Sequence, residues 1–352
     1  MKRVFLTLAI TSSISIAQVS NKEIANMFIV GFYAKDNQKI KQDICNRGLG
    51  GVILFQKSPV KRGAYKNFYD ASSLKQLTNF LKSCGAKPLI AVDQEGGVVQ
   101  RVKVKYRYPS AAKVATLGLK RADNIYTNMA YELKSLGVNL NLAPVADLAL
   151  NPKNRVIVKW GRSYGSDVKS VVNYNRVFIN AMHKYNIATS LKHFPGHGSS
   201  LGDTHKGFVD VTNLWQEVEL EPYKYLKNLS DTVMVAHIFN RKLDSKYPAS
   251  LSKKIIKGLL RDKIGFRGVV ISDDMQMGAI KKHYGLKQSI NLAINAGVDI
   301  LLFANQVHPN RVVTIDKLIA ITKELLKEGK ISESSIKDAN VRINNLKNRL
   351  YR

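Results

Sequence analysis

The amino-acid sequence predicts an α/β protein built as one (β/α)8 TIM barrel, and three observations carry that expectation. Eight short apolar, β-branched runs recur along the chain, longer amphipathic stretches separate them, and polar residues gather at the C-terminal end of run after run. The runs are residues 27–32, 51–55, 88–93, 138–144, 188–194, 232–237, 268–273 and 300–303. They are continuously hydrophobic rather than alternating, as parallel strands buried on both faces must be. Helical periodicity occupies residues 71–84, 122–136, 168–185, 252–263 and 286–296, and further helix is expected over 312–350. The units occupy residues 24–350 as a single domain, with no low-complexity linker and no solenoid-type repeat. An open doubly wound sheet is the competing architecture. It is disfavoured because no Gly-rich phosphate-binding fingerprint follows the first run.

Composition narrows the function classes. With 352 residues and 45% apolar content the chain can bury a large core. Lys and Arg number 55 against 26 Asp and Glu, a formal net charge of +29. The basic residues are spread along the whole length, which reads first as a solvated surface and second as an affinity for anionic polymers. No zinc-finger spacing, RNA-binding signature or basic-aromatic block is present, so no specific nucleic-acid partner is expected.

The N-terminus has the plan of a secretory signal peptide over residues 1–17. Lys2 and Arg3 precede an apolar run over 4–10, and a small-residue stretch leads to a cleavage point after Ala17. The segment is too short and too Ser-rich to span a bilayer, so the mature chain is expected to carry no transmembrane segment. Export places the protein in the periplasm or outside the cell, with the cytoplasm as the alternative. Cys45 and Cys84 are the only cysteines; they allow one bridge, and two buried free thiols fit equally well.

The strand ends carry the chemistry. Asp93-Gln94-Glu95-Gly96-Gly97 follows the third run and Pro144-Val145-Ala146-Asp147 the fourth; Lys192-His193, His237 and Ser272-Asp273-Asp274 close the fifth, sixth and seventh. In a (β/α)8 barrel such positions converge on one mouth. Asp273 sits where a nucleophilic carboxylate would be held rigidly, whereas Asp274 alternates to the other side and suits a cap or an ion pair. In the loop 194–205, Pro195, Gly196, Gly198 and Gly202 exclude helix, and Asp203 precedes His205 by two residues. A carboxylate beside an imidazole raises its pKa and sets its tautomer, as a general acid/base requires. Metal binding by His193, His197, His205 and Asp203 is the competing reading. Their spacing matches no standard zinc site and Lys192 would repel a cation, so neither metal nor cofactor is expected. Arg101 and Arg162 are either surface arginines or donors to sugar hydroxyls and an acetamido carbonyl. His237 is either a core histidine or part of the pocket wall.

Lys192-His193-Phe194-Pro195-Gly196-His197-Gly198, followed after four residues by Asp203-Thr204-His205, resembles the signature of the β-N-acetylhexosaminidase branch of glycoside hydrolase family 3. Residues 93–101 resemble that family's sugar-binding loop, and residues 259–261 with 268–273 its nucleophile segment; the similarity runs from about residue 24 to beyond 305. Thr204 stands where the family usually has Ser, and Val98 where it commonly has Arg. The resemblance implies that Asp273 is the nucleophile of a retaining mechanism and that His205, held by Asp203, is the general acid/base. It further implies that Asp93, Arg101, Arg162, Lys192 and His193 bind an N-acetylglucosamine unit, with peptidoglycan-derived muropeptides as the substrate; a monomer is expected as the working form. His197 would be structural, and the Gly-rich loop is expected to be mobile. A β-glucosidase or β-xylosidase of the wider family is the alternative activity, but those usually draw the acid/base from a second domain. A phosphorylase and a non-catalytic wall-saccharide-binding barrel are the remaining readings.

Overall fold

The computed structural model describes residues 18–204 and 207–352. The expected signal peptide, 1–17, and His205 lie outside the described residues. Eight parallel strands form the wall: β1 Phe28–Val30, β2 Gly51–Ile53, β3 Leu89–Val92, β4 Leu140–Asn141, β5 Ala188–Phe194, β6 Thr232–Val235, β7 Val269–Ser272 and β8 Leu301–Phe303. Their order is β7-β6-β5-β4-β3-β2-β1-β8, with Phe28 opposite Leu301, Ala91 opposite Leu140 and Val233 opposite Val270. A parallel bridge between Ile271 and Ile300, and the Ser272 amide donating to the Ile300 carbonyl (3.0 Å), join β7 to β8 and close the ring. The architecture expected from the apolar runs is therefore present. Apart from β5, the strands are shorter than their runs, most of all β4, whose backbone still bonds β3 and β5 beyond Asn141 but where Pro144 has no N–H for a regular ladder.

The helices form the outer layer, each for a readable reason. α1 Asn21–Asn26 starts in a capping box of Ser20 with Glu23, α2 Asn37–Arg47 stops at Gly48 (φ 76°), and α3 Ala71–Lys82 is capped by Asp70. α4 Leu119–Ser135, α5 Val168–His183 and α6 Glu221–Leu226 follow. The segment read as helix over 252–263 is a π-type helix, Lys254–Lys263, in which the amide of Ile264 reaches back to the carbonyl of Leu259. α7 Leu286–Ala296 matches its expected span, and the tail divides into α8 Ile315–Lys327 and α9 Glu333–Leu350. Among the described residues no helix is long and apolar enough to cross a membrane.

Two long-range ties hold this layer together. Cys45 and Cys84 are bonded, joining α2 to the turn after α3, which decides between the two fates the cysteines had in the sequence. At the end of the barrel opposite the mouth, Asn26 donates to Asn340 (2.7 Å) and accepts from the buried Lys347 ammonium (2.6 Å), locking α1 to α9. The wall itself is filled by Phe28, Ile29, Val52, Ile90, Leu140, Leu191, Val270, Leu301 and Phe303, all inaccessible to solvent.

Candidate active site

A cavity of about 690 Å³ opens at the C-terminal ends of the strands. Asp93, Arg101, Arg162, Lys192, His193, Asp203 and Asp273 all line it, so seven of the eight residues singled out in the sequence converge on one space. The eighth is His205. Val98 and Trp160, both half-exposed, also line it.

The floor is an ion cluster that the sequence identified only in part. Glu95, buried, binds the Arg162 guanidinium through two bonds (Nε–Oε2 and Nη2–Oε1, each 2.8 Å) and the Lys192 ammonium (2.7 Å). The same ammonium reaches Asp93 at 2.8 Å. Burial by itself would raise the pKa of Glu95, but the charges of Arg162 and Lys192 outweigh it and hold the carboxyl far below the usual range. Burial likewise opposes charge on Lys192, and Asp93 and Glu95 reverse that effect, so the ammonium titrates above its ordinary value. Arg162 spends its Nε and one Nη on Glu95 and also contacts the Val156 carbonyl (3.3 Å) and His193 Nε2 (3.3 Å). It is thus chiefly a buried brace for Glu95 and His193 at the cavity edge. Arg101 differs: its guanidinium lies 5.8 Å from the Phe55 ring, and its Nε finds no acceptor among the described residues.

Behind this floor stands Asp147, which the strand-end pattern flagged without assigning a role. Its Oδ2 lies 2.7 Å from His193 Nδ1, and its Oδ1 accepts the amides of His193 (3.2 Å) and His197 (2.8 Å). Since a carboxylate here only accepts, His193 Nδ1 carries the proton and Nε2 faces Arg162 and the cavity. Burial would raise the pKa of Asp147, yet His193 and the amides hold it below normal.

Asp273 stands on the β7 side of the cavity. Its backbone amide donates to the Val235 carbonyl (3.0 Å), and its Oδ1 accepts the amide of Asp274 (2.8 Å). Asp274 borders the same cavity as Asp273, so alternation does not carry it away from the centre as expected. Its carboxylate accepts the amides of Ala304 and Gln276, each at 3.1 Å, and burial pushes it up to about 6. His237 does not line the cavity; it is a core histidine whose Nε2–H donates to the Asp274 carbonyl (2.9 Å), with Ser250 Oγ 2.6 Å from its Nδ1. Behind the wall, Lys66 donates to the carbonyls of Ala304 (2.9 Å) and Asn305 (2.8 Å), and burial pushes its ammonium down to about 7.

The Gly-rich loop is not loose along its first part. Residues 194–200 are all buried. Trp215 Nε1 donates to the Pro195 carbonyl (3.1 Å), Asn154 to the carbonyls of His197 (2.8 Å) and Gly198 (3.2 Å), and Asn151 to that of Ser199 (3.0 Å). Only Gly fits at 198, where a Cβ would fall 1.6 Å from the Leu148 carbonyl oxygen. The glycine at 198 thus serves close packing along the first part of the loop. His197 is buried but also borders the cavity; Ser200 Oγ lies 2.6 Å from its Nδ1, and burial pushes its imidazole down to about 4. Glu219, for which the sequence carried no signal, receives the amide of Gly198; burial pushes it up to about 7. Farther on, the Thr204 carbonyl accepts the amide of Ala279 (3.2 Å), which fixes the neighbour of Asp203 against the segment after β7.

A closed barrel whose mouth holds a carboxylate on β7 facing a lysine- and arginine-braced floor is the frame of a glycoside hydrolase. The chain belongs to glycosyl hydrolase family 3: residues 19–346 match the model of the family's N-terminal domain. It is 34% identical over 267 residues to a β-hexosaminidase of Tolumonas auensis, covering 73% of this chain and 76% of that protein. A β-hexosaminidase of Haemophilus influenzae is 34% identical over 270 residues, 73% of each chain. Among solved structures, a family 3 β-N-acetylglucosaminidase from Paenibacillus sp. superimposes with a TM-score of 0.84 at 29% identity. That match covers 95% of this chain, which spans 63% of the longer Paenibacillus protein. The β-N-acetylhexosaminidase of Beutenbergia cavernae superimposes with a TM-score of 0.80 at 26% identity, over 94% of this chain and 99% of that one.

Proposed function

We propose that this family 3 β-N-acetylhexosaminidase removes terminal β-linked N-acetylglucosamine with retention of configuration. The observation that carries the reading is Asp273 lining one cavity with Asp93, Arg101, Lys192, His193 and Asp203. In the first step the Asp273 carboxylate attacks the anomeric carbon, the bond to the aglycone oxygen breaks, and that oxygen takes a proton from His205. In the second, water gives a proton back to His205 while its oxygen displaces Asp273. Asp203 sets the tautomer of His205 and stabilises its protonated form. Asp93 and Lys192, already bonded to each other, offer an acceptor and a donor to sugar hydroxyls. Arg101, with an unspent Nε, is a donor to the hydroxyls or the acetamido carbonyl, and Arg162 and His193 complete the wall.

The substrate we propose is a peptidoglycan-derived muropeptide, processed by a monomer in the periplasm or outside the cell. The Cys45–Cys84 bond supports export, since structural disulfides persist in oxidising compartments. The net charge of +29 suits an acidic wall fragment. Turnover of 4-nitrophenyl N-acetyl-β-glucosaminide by wild type, Asp273→Asn and His205→Ala tests the chemistry. Asp273→Asn should abolish turnover and His205→Ala should cost about 10²–10⁴-fold. Hydrolysis undiminished in Asp273→Asn would overturn the nucleophile assignment, and an inverted first product would overturn retention. Mass analysis of the exported chain should place the mature N-terminus just after Ala17.

A further inference from the structure

We infer that Glu219 is a positioning residue for the arm that bears the acid/base pair, an inference resting on the proposed roles of Asp203 and His205. Glu219 lies on the short 3-10 turn Glu217–Leu220, far in sequence from the motif loop, and is 1% exposed. Four donors converge on its carboxylate: the amides of Gly198 (3.0 Å) and Ser199 (3.4 Å), the Ser199 hydroxyl (2.6 Å) and the amide of Gln216 (3.3 Å). No lysine, arginine or histidine forms an ion pair with it among the described residues. A buried carboxylate without a cation is costly, and three of its four bonds go to the loop or to the hydroxyl the loop carries.

The geometry makes this carboxylate one jaw of a clamp. On the opposite side of the loop the Gly198 backbone presses against the Leu148 carbonyl, so closely that a Cβ there would fall 1.6 Å from the oxygen. Gly196, at φ 123°, leaves no room on the Glu219 side either, since a Cβ would fall 2.5 Å from the Cβ of Glu219. Residues 196–199 are therefore held between the segment after β4 and Glu219 and cannot slide. Asp203, four residues beyond Ser199, lines the cavity wall. The clamp sets the origin of the arm that carries Asp203, and misplacement of a catalytic group by about 1 Å can cost 10²-fold. Glu219 touches no cavity space itself; it acts through the loop.

This role has a signature that a general packing role lacks. A 2,4-dinitrophenyl leaving group departs without protonation, whereas a phenyl group needs the acid. We expect Glu219→Ala and Glu219→Gln, which turns an amide donor toward donors, to lower kcat/KM for phenyl N-acetyl-β-glucosaminide about 10–10²-fold, within the range of general acid catalysis. For the 2,4-dinitrophenyl glycoside the loss in kcat/KM should stay within about threefold, since kcat/KM reports only the first step; KM for the phenyl glycoside should stay within about twofold. Ser199→Ala, which deletes the shortest bond of the clamp, should show the same pattern to a smaller degree, and it carries the test if the Glu219 variants do not fold. An equal loss on both leaving groups, or no loss on either, overturns the inference. His205→Ala, run beside them, separates the two ideas: if it is insensitive to the leaving group, the acid/base reading itself fails. If His205→Ala is sensitive and the clamp variants are not, only the clamp fails.

Discussion

Replacing Glu95 by Gln probes the ion cluster under the proposed sugar site. The substitution keeps the shape but removes the negative charge that Arg162 and Lys192 share at 2.7–2.8 Å. Lys192 keeps Asp93, whereas Arg162 keeps at most one bond to its former bidentate partner, besides its Val156 contact and His193. Breaking a buried pair by removing one partner costs about 3–5 kcal/mol. Gln still offers one acceptor oxygen, so the low end applies, about 3 kcal/mol. Where that disorder falls on groups that bind substrate, 3 kcal/mol corresponds to about 10²-fold in kcat/KM at roughly 1.4 kcal/mol per decade. Urea unfolding followed by tryptophan fluorescence measures the first quantity, and initial rates on 4-nitrophenyl N-acetyl-β-glucosaminide the second. A Glu95→Gln protein within about 0.5 kcal/mol of wild type and of equal activity would refute the claim that this cluster organises the floor.

Two further predictions concern the frame. Converting Cys45 and Cys84 to Ser opens a loop of 39 residues' separation and should lower stability by up to about 4 kcal/mol on the chain-entropy account; an unchanged thermal midpoint for that variant, or for wild type under reductant, would contradict it. The buried ammonium of Lys347 is pushed down by desolvation to about 7, against 10.5 in an unfolded chain. Between those pH values the unfolded chain holds a proton that the folded one has lost, so wild-type stability gains from rising pH by up to about 1.4 kcal/mol per unit and loses the contribution as pH falls toward 7. Lys347→Met lacks that slope, so its stability relative to wild type should fall as pH rises from 7 toward 10. Parallel stability-versus-pH curves would show that Lys347 does not titrate in this window.

The sequence by itself determined the barrel and the addresses of its chemistry. Short, continuous, β-branched apolar runs fit strands buried on both faces, and strand-end residues in such a wall share one mouth, which brought Asp93, Lys192, His193 and Asp273 to the cavity. Alternation alone misplaced Asp274, which borders the cavity beside Asp273, although its carboxylate accepts the Ala304 and Gln276 amides as a capping role requires. These properties are local: burial side and strand end follow from a few neighbouring residues. What only the tertiary structure decided depends on partners far away in the chain. Cys45 could be free or bridged until α2 and α3 were packed, and His237 could line the pocket or the core until Ser250 was found beside it. Arg162 could face solvent or sugar until Glu95 claimed it, and the loop 194–200 could be supple or rigid until Leu148, Asn154 and Glu219 closed around it. A buried charge or hydrogen bond takes its meaning from the group opposite, and no periodicity in a single strand or loop encodes which group that is.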